Sequence, residues 1–309
     1  MDPSTRTAIR RTTQRPGARR PGAVWPDYAS EMTDLASVLS TIETWGADHA
    51  AAVVLGPGGV LAGHGEPDHV FRWASVTKLA TAWTVLIASE RGLLDIDEPA
   101  GPPGATVRHL MAHASGLPFE GTATIAPPGT RRIYSNPGFD ALGELVAQRT
   151  GRPFGDVLRE FVLTPLGMVG THLVERPSQG LHGHVGDLAA LAAELLRSRL
   201  VTAETARAAT TVAFPGLVGV VPGVGRFDPC DWGLGPELHV GKTPHWMGMT
   251  NSVATFGHFG GAGTFLWVDP VADIALVALT DREFGPWALD AWPAFSDSVL
   301  VALADVGAR

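Results

Sequence analysis

Phe71-Arg72-Trp73-Ala74-Ser75-Val76-Thr77-Lys78 decides how this chain is read. The residues from Ser75 to Glu90 are apolar almost all round, and Gly92 follows. That pattern predicts a buried central helix closed by a glycine. Lys78 lies three residues after Ser75, so both side chains share one helix face. The chain holds only two lysines against 21 arginines. Arginine keeps its proton near neutral pH, whereas a buried lysine releases one. A serine hydroxyl needs such a base before it attacks anything. Ser75 is therefore the candidate nucleophile and Lys78 a candidate base. A serine in a first helical turn also brings unpaired backbone N–H groups to the place where negative charge would develop. The plainer reading is an ordinary helix-start serine beside a lysine that snorkels to solvent.

Two further stretches carry chemistry. Tyr134-Ser135-Asn136 follows the loop Ala126-Pro127-Pro128-Gly129-Thr130 and precedes a predicted helix. A cationic Lys78 nearby would lower the Tyr134 pKa and make it a second candidate base. Asn136 is a candidate for holding a substrate amide or orienting Lys78. The alternative is a packing tyrosine and an asparagine that caps a helix beginning at Pro137. Gly257-His258-Phe259-Gly260-Gly261-Ala262-Gly263 directly precedes a strand-like run. Glycines there admit close approach of a substrate backbone. An N–H near Gly261 would complete an oxyanion hole with that of Ser75, and His258 would contact substrate or tune Lys78 and Tyr134. The alternative is a glycine-rich turn with a surface histidine.

In that order, S-x-x-K, Y-S-N and H-x-G resemble the serine β-lactamase and DD-peptidase superfamily. The similarity is to the branch with class C β-lactamases, Streptomyces-type DD-carboxypeptidases, D-aminopeptidases and β-lactamase-like esterases. Thr106 to Pro118 (TVRHLMAHASGLP), Pro165-Leu166-Gly167-Met168 and Trp232-Gly233-Leu234-Gly235 carry it further. The resemblance implies an acyl-enzyme on Ser75, proton transfer by Lys78 and Tyr134, and substrate or oxyanion contacts from Asn136, His258, Gly260 and Gly261. It implies no metal and no cofactor. One departure matters: His258-Phe259-Gly260 stands where β-lactamases carry K-T-G, whose lysine helps bind a substrate carboxylate. Phe259 is expected to narrow the cleft, and Asp95 to Thr106 is shorter than is usual for the family. An H-x-G form occurs in peptidases and esterases of that branch, so the histidine lowers the β-lactamase reading and leaves the DD-peptidase one, while the lack of a readable export signal fits a hydrolase of a small ester or amide better. A D-alanyl carboxypeptidase, a weak β-lactamase and a non-catalytic penicillin-recognising domain are the alternatives.

Composition narrows the remaining classes. The chain is 45% hydrophobic and 17% charged, enough for a substantial core. Residues 1–24 carry six arginines and one acid, and the rest is strongly acidic, which argues against nucleic-acid binding. No apolar h-region follows the arginines, so no export signal is read, and residues 1–31 are expected to be a disordered basic tail or a misassigned start before Met32. No run reaches membrane-span length. A cytoplasmic location follows as the expectation, with the oligomeric state left open. One cysteine, Cys230, excludes an intramolecular disulfide. The histidines at 182, 184, 239, 245 and 258 lack metal-ligand spacing and are expected at the surface. Trp232, Trp246 and Trp267 are candidates for lining an acyl pocket.

Strand-like runs lie at both ends: Ala51–Leu55 and Gly59–Ala62 flank a turn, and Gly263–Val268 and Ile274–Thr280 flank Asp269-Pro270. Helices are expected at 32–46, 107–113, 137–150, 153–162, 185–199 and 287–304, and 212–224 as a covered loop. The predicted fold is α+β: an antiparallel sheet built from both chain ends and flanked by helices, in one domain over 32–309, with a mostly helical insert at about 93–215.

Overall fold

The computed structural model describes residues 33–307, with side chains over residues 34–304. The expected N-terminal tail lies outside the described residues. Six strands form one antiparallel sheet in the order Gly59–Gly65, Ala50–Gly56, Ile274–Thr280, Thr264–Asp269, Phe256–Gly260 and Glu237–Leu238. The first hairpin and the C-terminal strands meet in the middle, where Ala52 pairs with Ala278 and Val53 with Val277. This is the two-ended sheet that the apolar runs predict.

Side chains alternate across a strand, so each central strand feeds two cores. Val53, Leu266, Val277 and Leu279 pack on one face with the helices Thr77–Glu90 and Val185–Leu196. Val54, Phe265, Trp267 and Leu276 pack on the other with Thr33–Ser40 and Pro286–Gly307. Both faces are covered, which is why the central strands read as continuous apolar runs. Burying a single such side chain contributes roughly 1.5–3 kcal/mol.

The helix Thr77–Glu90 is buried from Thr77 through Ala88 and ends before Gly92, whose φ is +71°. The sequence places Ser75 in its first α turn. Instead Ala74–Val76 is a separate 3₁₀ turn, and the α-helix starts at Thr77. Around it pack the helices Asn136–Thr150 and Phe154–Leu158, the latter continuing as a π turn over Arg159–Leu163.

The expected covered loop is corrected. Gly219–Val221 is a strand, parallel to Arg132–Ile133 and antiparallel to Gly225–Phe227, and its Val220 faces solvent. The glycines and prolines that broke the apolar run mark a hairpin at the surface. Among the described residues, no helix is long and apolar enough to cross a membrane.

Candidate active site

The nucleophile turn is held by its neighbours. The Trp73 backbone N–H donates to Leu181 O at 2.9 Å, and its indole donates to Gly183 O at 3.2 Å. The Thr264 hydroxyl donates to Trp73 O at 2.9 Å. Ala74 takes a left-handed φ of +47°, a conformation that costs a residue with a Cβ about 1 kcal/mol or more. These bonds fix that strained residue directly before Ser75. Gly260 is the complement: a Cβ on it would lie 2.4 Å from Trp73 O and 2.5 Å from Thr264 Oγ1. The close approach expected at this glycine is therefore made by the chain's own Trp73-Ala74 backbone. Gly261, one residue on, faces open space at the cleft.

Lys78 is fully buried and does not snorkel. Its Nζ lies 3.3 Å from Ser75 Oγ, 2.6 Å from Asn136 Oδ1 and 2.9 Å from Ser178 O. Burial lowers its pKa to about 7, against the attraction of Asp140 and Glu120. A neutral amine has two N–H bonds and one lone pair. Asn136 Oδ1 and Ser178 O only accept, so both N–H bonds are committed to them. The lone pair is left to Ser75 Oγ, the one neighbour with a proton to give.

Asn136 is not the helix cap. Ser135 takes that role, its Oγ accepting the Gly138 N–H at 3.1 Å. This frees the Asn136 amide to face Lys78 on one side and to donate to Glu120 Oε1 at 2.8 Å on the other. Glu120 is clamped by Arg176, which also pairs with Asp140. Glu120 comes from one loop and Arg176 and Ser178 from another far along the sequence, and nothing in their local pattern marks them.

Tyr134 is buried, with Lys78 Nζ 4.8 Å from its ring centre. Burial pushes its phenol well above the ordinary value, against a hydrogen bond with Ser75. Burial thus makes the neutral amine accessible on Lys78, as expected, but keeps the phenol on Tyr134, against the lowered pKa expected there. His113 positions this tyrosine. Its carbonyl accepts from Ile133 N–H at 2.8 Å, its Nδ1 accepts from Ser135 N–H at 3.0 Å, and its ring lies 4.3 Å from the Tyr134 ring.

His258 is buried, not a surface residue. Its Nδ1 lies 2.7 Å from Phe259 O, which only accepts, so Nδ1 carries the proton and Nε2 is an acceptor. Tyr134 Oη lies 3.4 Å from that Nε2. Burial, with Lys78 adding, lowers the His258 pKa to about 3, so the ring is neutral. Ser75, Tyr134, Asn136, His258 and Gly261 all line one cleft of about 390 Å³. Lys78 stands behind Ser75 and Gly260 under the nucleophile turn. Phe259 lines the cleft as expected, leaning on Phe284 at 4.6 Å between ring centres. Of the three tryptophans only Trp232 lines it, and Trp246 and Trp267 are core.

His239 and His245 are likewise buried, contrary to expectation. His245 Nε2 and Lys242 Nζ converge on Glu237 Oε1 at 2.9 and 3.0 Å, and Trp246 Nε1 donates to Oε2 at 2.8 Å. Burial favours the neutral acid, yet Lys242 and His245 overcome it and hold the Glu237 carboxyl well below its usual range. The carboxylate provides the physical reason that these polar groups can be buried. Among the described residues, His49, Glu66 and His69 bring ligand atoms within 4.8 Å of one another, away from the cleft lining. The two imidazoles are stacked, 3.9 Å between ring centres, and Glu66 is already hydrogen-bonded to His49.

The family model described as Beta-lactamase matches residues 9–298. The chain belongs to the beta-lactamase family. A crystal structure described as a beta-lactamase from Mycobacterium bovis is 52% identical, covers 86% of this chain and 99% of its own, and superposes with a TM-score of 0.85. The D-alanyl-D-alanine-carboxypeptidase/endopeptidase AmpH of Escherichia coli is 27% identical over 201 residues, 50% of this chain and 52% of that protein. Esterase EstB of Burkholderia gladioli is 29% identical over 147 residues, 33% of this chain and 38% of that protein. The match thus spans about half or less of these curated relatives. The family's β-lactamase/transpeptidase-like α+β fold is the one described above.

Proposed function

We propose that this beta-lactamase-family member is a serine hydrolase that forms an acyl-enzyme on Ser75 and hydrolyses a small ester or amide. The observation that carries this reading is the buried Lys78 Nζ 3.3 Å from Ser75 Oγ, with two obligate acceptors on its other sides, so that the neutral amine turns its lone pair to the serine. Lys78 takes the serine proton as Oγ attacks the substrate carbonyl. The N–H groups of Ser75 and Gly261 receive the developing oxyanion. Tyr134, with its phenol intact, passes a proton to the leaving alcohol or amine and recovers one from Lys78. Water then attacks the acyl-enzyme by the reverse relay. No step calls on a metal or cofactor.

The absence of a lysine at His258 supports an ester or simple amide over a substrate with a carboxylate beside the reacting bond. The relationship to AmpH supports a D-amino-acid peptide as the second reading. A fluorophosphonate probe should label wild type and not Ser75→Ala. An unlabelled wild type would refute the acyl-enzyme and favour a non-catalytic domain. Saturable labelling by a fluorescent penicillin would move the assignment to the peptidase reading.

A further inference from the structure

Beyond Tyr134 the catalytic cleft continues into a second cavity of about 450 Å³, with Phe119, Tyr134 and Pro222 forming walls of both. Its floor is apolar: Phe119, Ile125, Ile133 and Val220 line it. Three of these are large apolar side chains left in water, at 51%, 61% and 51% exposed for Phe119, Ile125 and Val220. Such side chains scattered singly need no explanation, but a cluster rimmed by polar groups marks a binding surface.

The rim carries a definite sign. Arg131 and Arg226 line the groove, and no acidic residue does. Neither forms an ion pair among the described residues, whereas arginines 91, 108, 149, 152, 159, 176 and 197 all do. Arg132, between them in the wall, is buried and spent on the carbonyls of Ala112, Ala213 and Cys230. Arg72, Arg199, Arg207 and Arg282 also lack an ion pair among the described residues; what sets Arg131 and Arg226 apart is that both exposed cations share one apolar groove with no acid in its lining, on a chain of net charge -8. The cleft around Ser75 is different: its single arginine, Arg72, shares the walls with Glu120 and Glu283.

We propose that this groove binds an apolar arm of the substrate that ends in an anionic group, with Phe119, Ile125, Ile133 and Val220 against the chain and Arg131 and Arg226 at its carboxylate. The inference rests on the acyl-enzyme reading of Ser75 and gives that reaction a substrate class: medium-chain esters or amides with a distal acid.

The test compares p-nitrophenyl octanoate with the p-nitrophenyl monoester of octanedioic acid for the acyl arm, and acetyl esters of octanol and of 8-hydroxyoctanoic acid for the alcohol arm. In wild type the carboxylated member of at least one pair should be preferred about tenfold in kcat/KM, the scale of two exposed charge contacts. The preference should fall toward one in the Arg131→Gln/Arg226→Gln double variant and shrink in 0.5 M salt. The responding pair assigns the arm. Equal rates within both pairs, or a preference that survives the double variant, would overturn the subsite. Calorimetry of octanedioate with wild type and the double variant reads the groove without turnover, and unchanged affinity would count against it equally. Fluorophosphonate labelling separates the two failures: labelled enzyme without preference sinks only the subsite, and unlabelled enzyme sinks the acyl-enzyme.

Discussion

Replacing Lys78 by methionine tests the central electrostatic argument through folding, independently of any substrate. Lys78 has a pKa near 7 in the fold and 10.5 as an ordinary side chain. The folded value is depressed, so the unfolded chain holds about one more proton between pH 7 and 10.5. Stability is therefore lowest at and below pH 7 and is recovered as pH rises toward 10.5. Each pH unit well inside that window is worth about 1.4 kcal/mol, and curvature near pH 7 leaves a gain of about 2 kcal/mol between pH 7 and 9. Lys78→Met removes this dependence. It also strips the donor from Asn136 Oδ1 and Ser178 O, but that penalty is constant with pH. Urea unfolding of both proteins at pH 6, 7, 8 and 9 gives the comparison. The wild-type minus variant difference should be nearly flat from pH 6 to 7 and climb by about 2 kcal/mol to pH 9 in favour of wild type. Other ionisable groups largely cancel, and His258, near 3, titrates below the range. Parallel curves would show that Lys78 keeps its proton, and the amine could not be the base.

The glycines offer a sharper contrast at no change in charge. Gly260→Ala drives a Cβ onto Trp73 O and should cut kcat more than tenfold, while Gly261→Ala, with nothing within 4 Å, should stay within a few-fold of wild type. Circular dichroism of both controls for folding, and equal activities would refute the assigned packing. In the buried cluster, Glu237→Gln leaves the Lys242 ammonium without its counter-charge and should cost about 3–5 kcal/mol, or roughly 10 °C in Tm. An unchanged melting curve would refute the buried ion pair as a support of the fold.

The parts legible in sequence are those set by neighbours along the chain. Ser75 and Lys78 are three residues apart, and the strand runs reveal themselves because both sheet faces are covered. Asn136 was harder. Either it or Ser135 satisfies the local demand for a cap, and only the position of Lys78 decides which of the two is spare. Glu120, Arg176 and Ser178 carry no local signature, since their meeting depends on how the Glu120 loop folds against the one that holds Arg176 and Ser178. The buried histidines were missed for a related reason: loops have no burial period, and His245 is interior because Glu237 is there to receive it. One signal was present and unused. The scarcity that singled out Lys78 applies equally to Lys242, the other lysine in a chain that otherwise uses arginine, and it too proves to be buried and committed.

The tautomer of His258 connects mechanism to specificity. With Nδ1–H held by Phe259 O, the ring presents only an acceptor toward Tyr134, so the phenol has a reason to keep its proton pointed inward until a leaving group arrives. A lysine at this place would present donors instead and would put a second cation close to Lys78. Two buried ammonium groups at such range would each depress the other's pKa, and the wall would lose its neutral acceptor. The histidine therefore suits a base-activated serine whose substrate brings no negative charge to the reacting bond. Any carboxylate on that substrate has to find its cation at a distance, and past Tyr134 the unpaired arginines are Arg131 and Arg226.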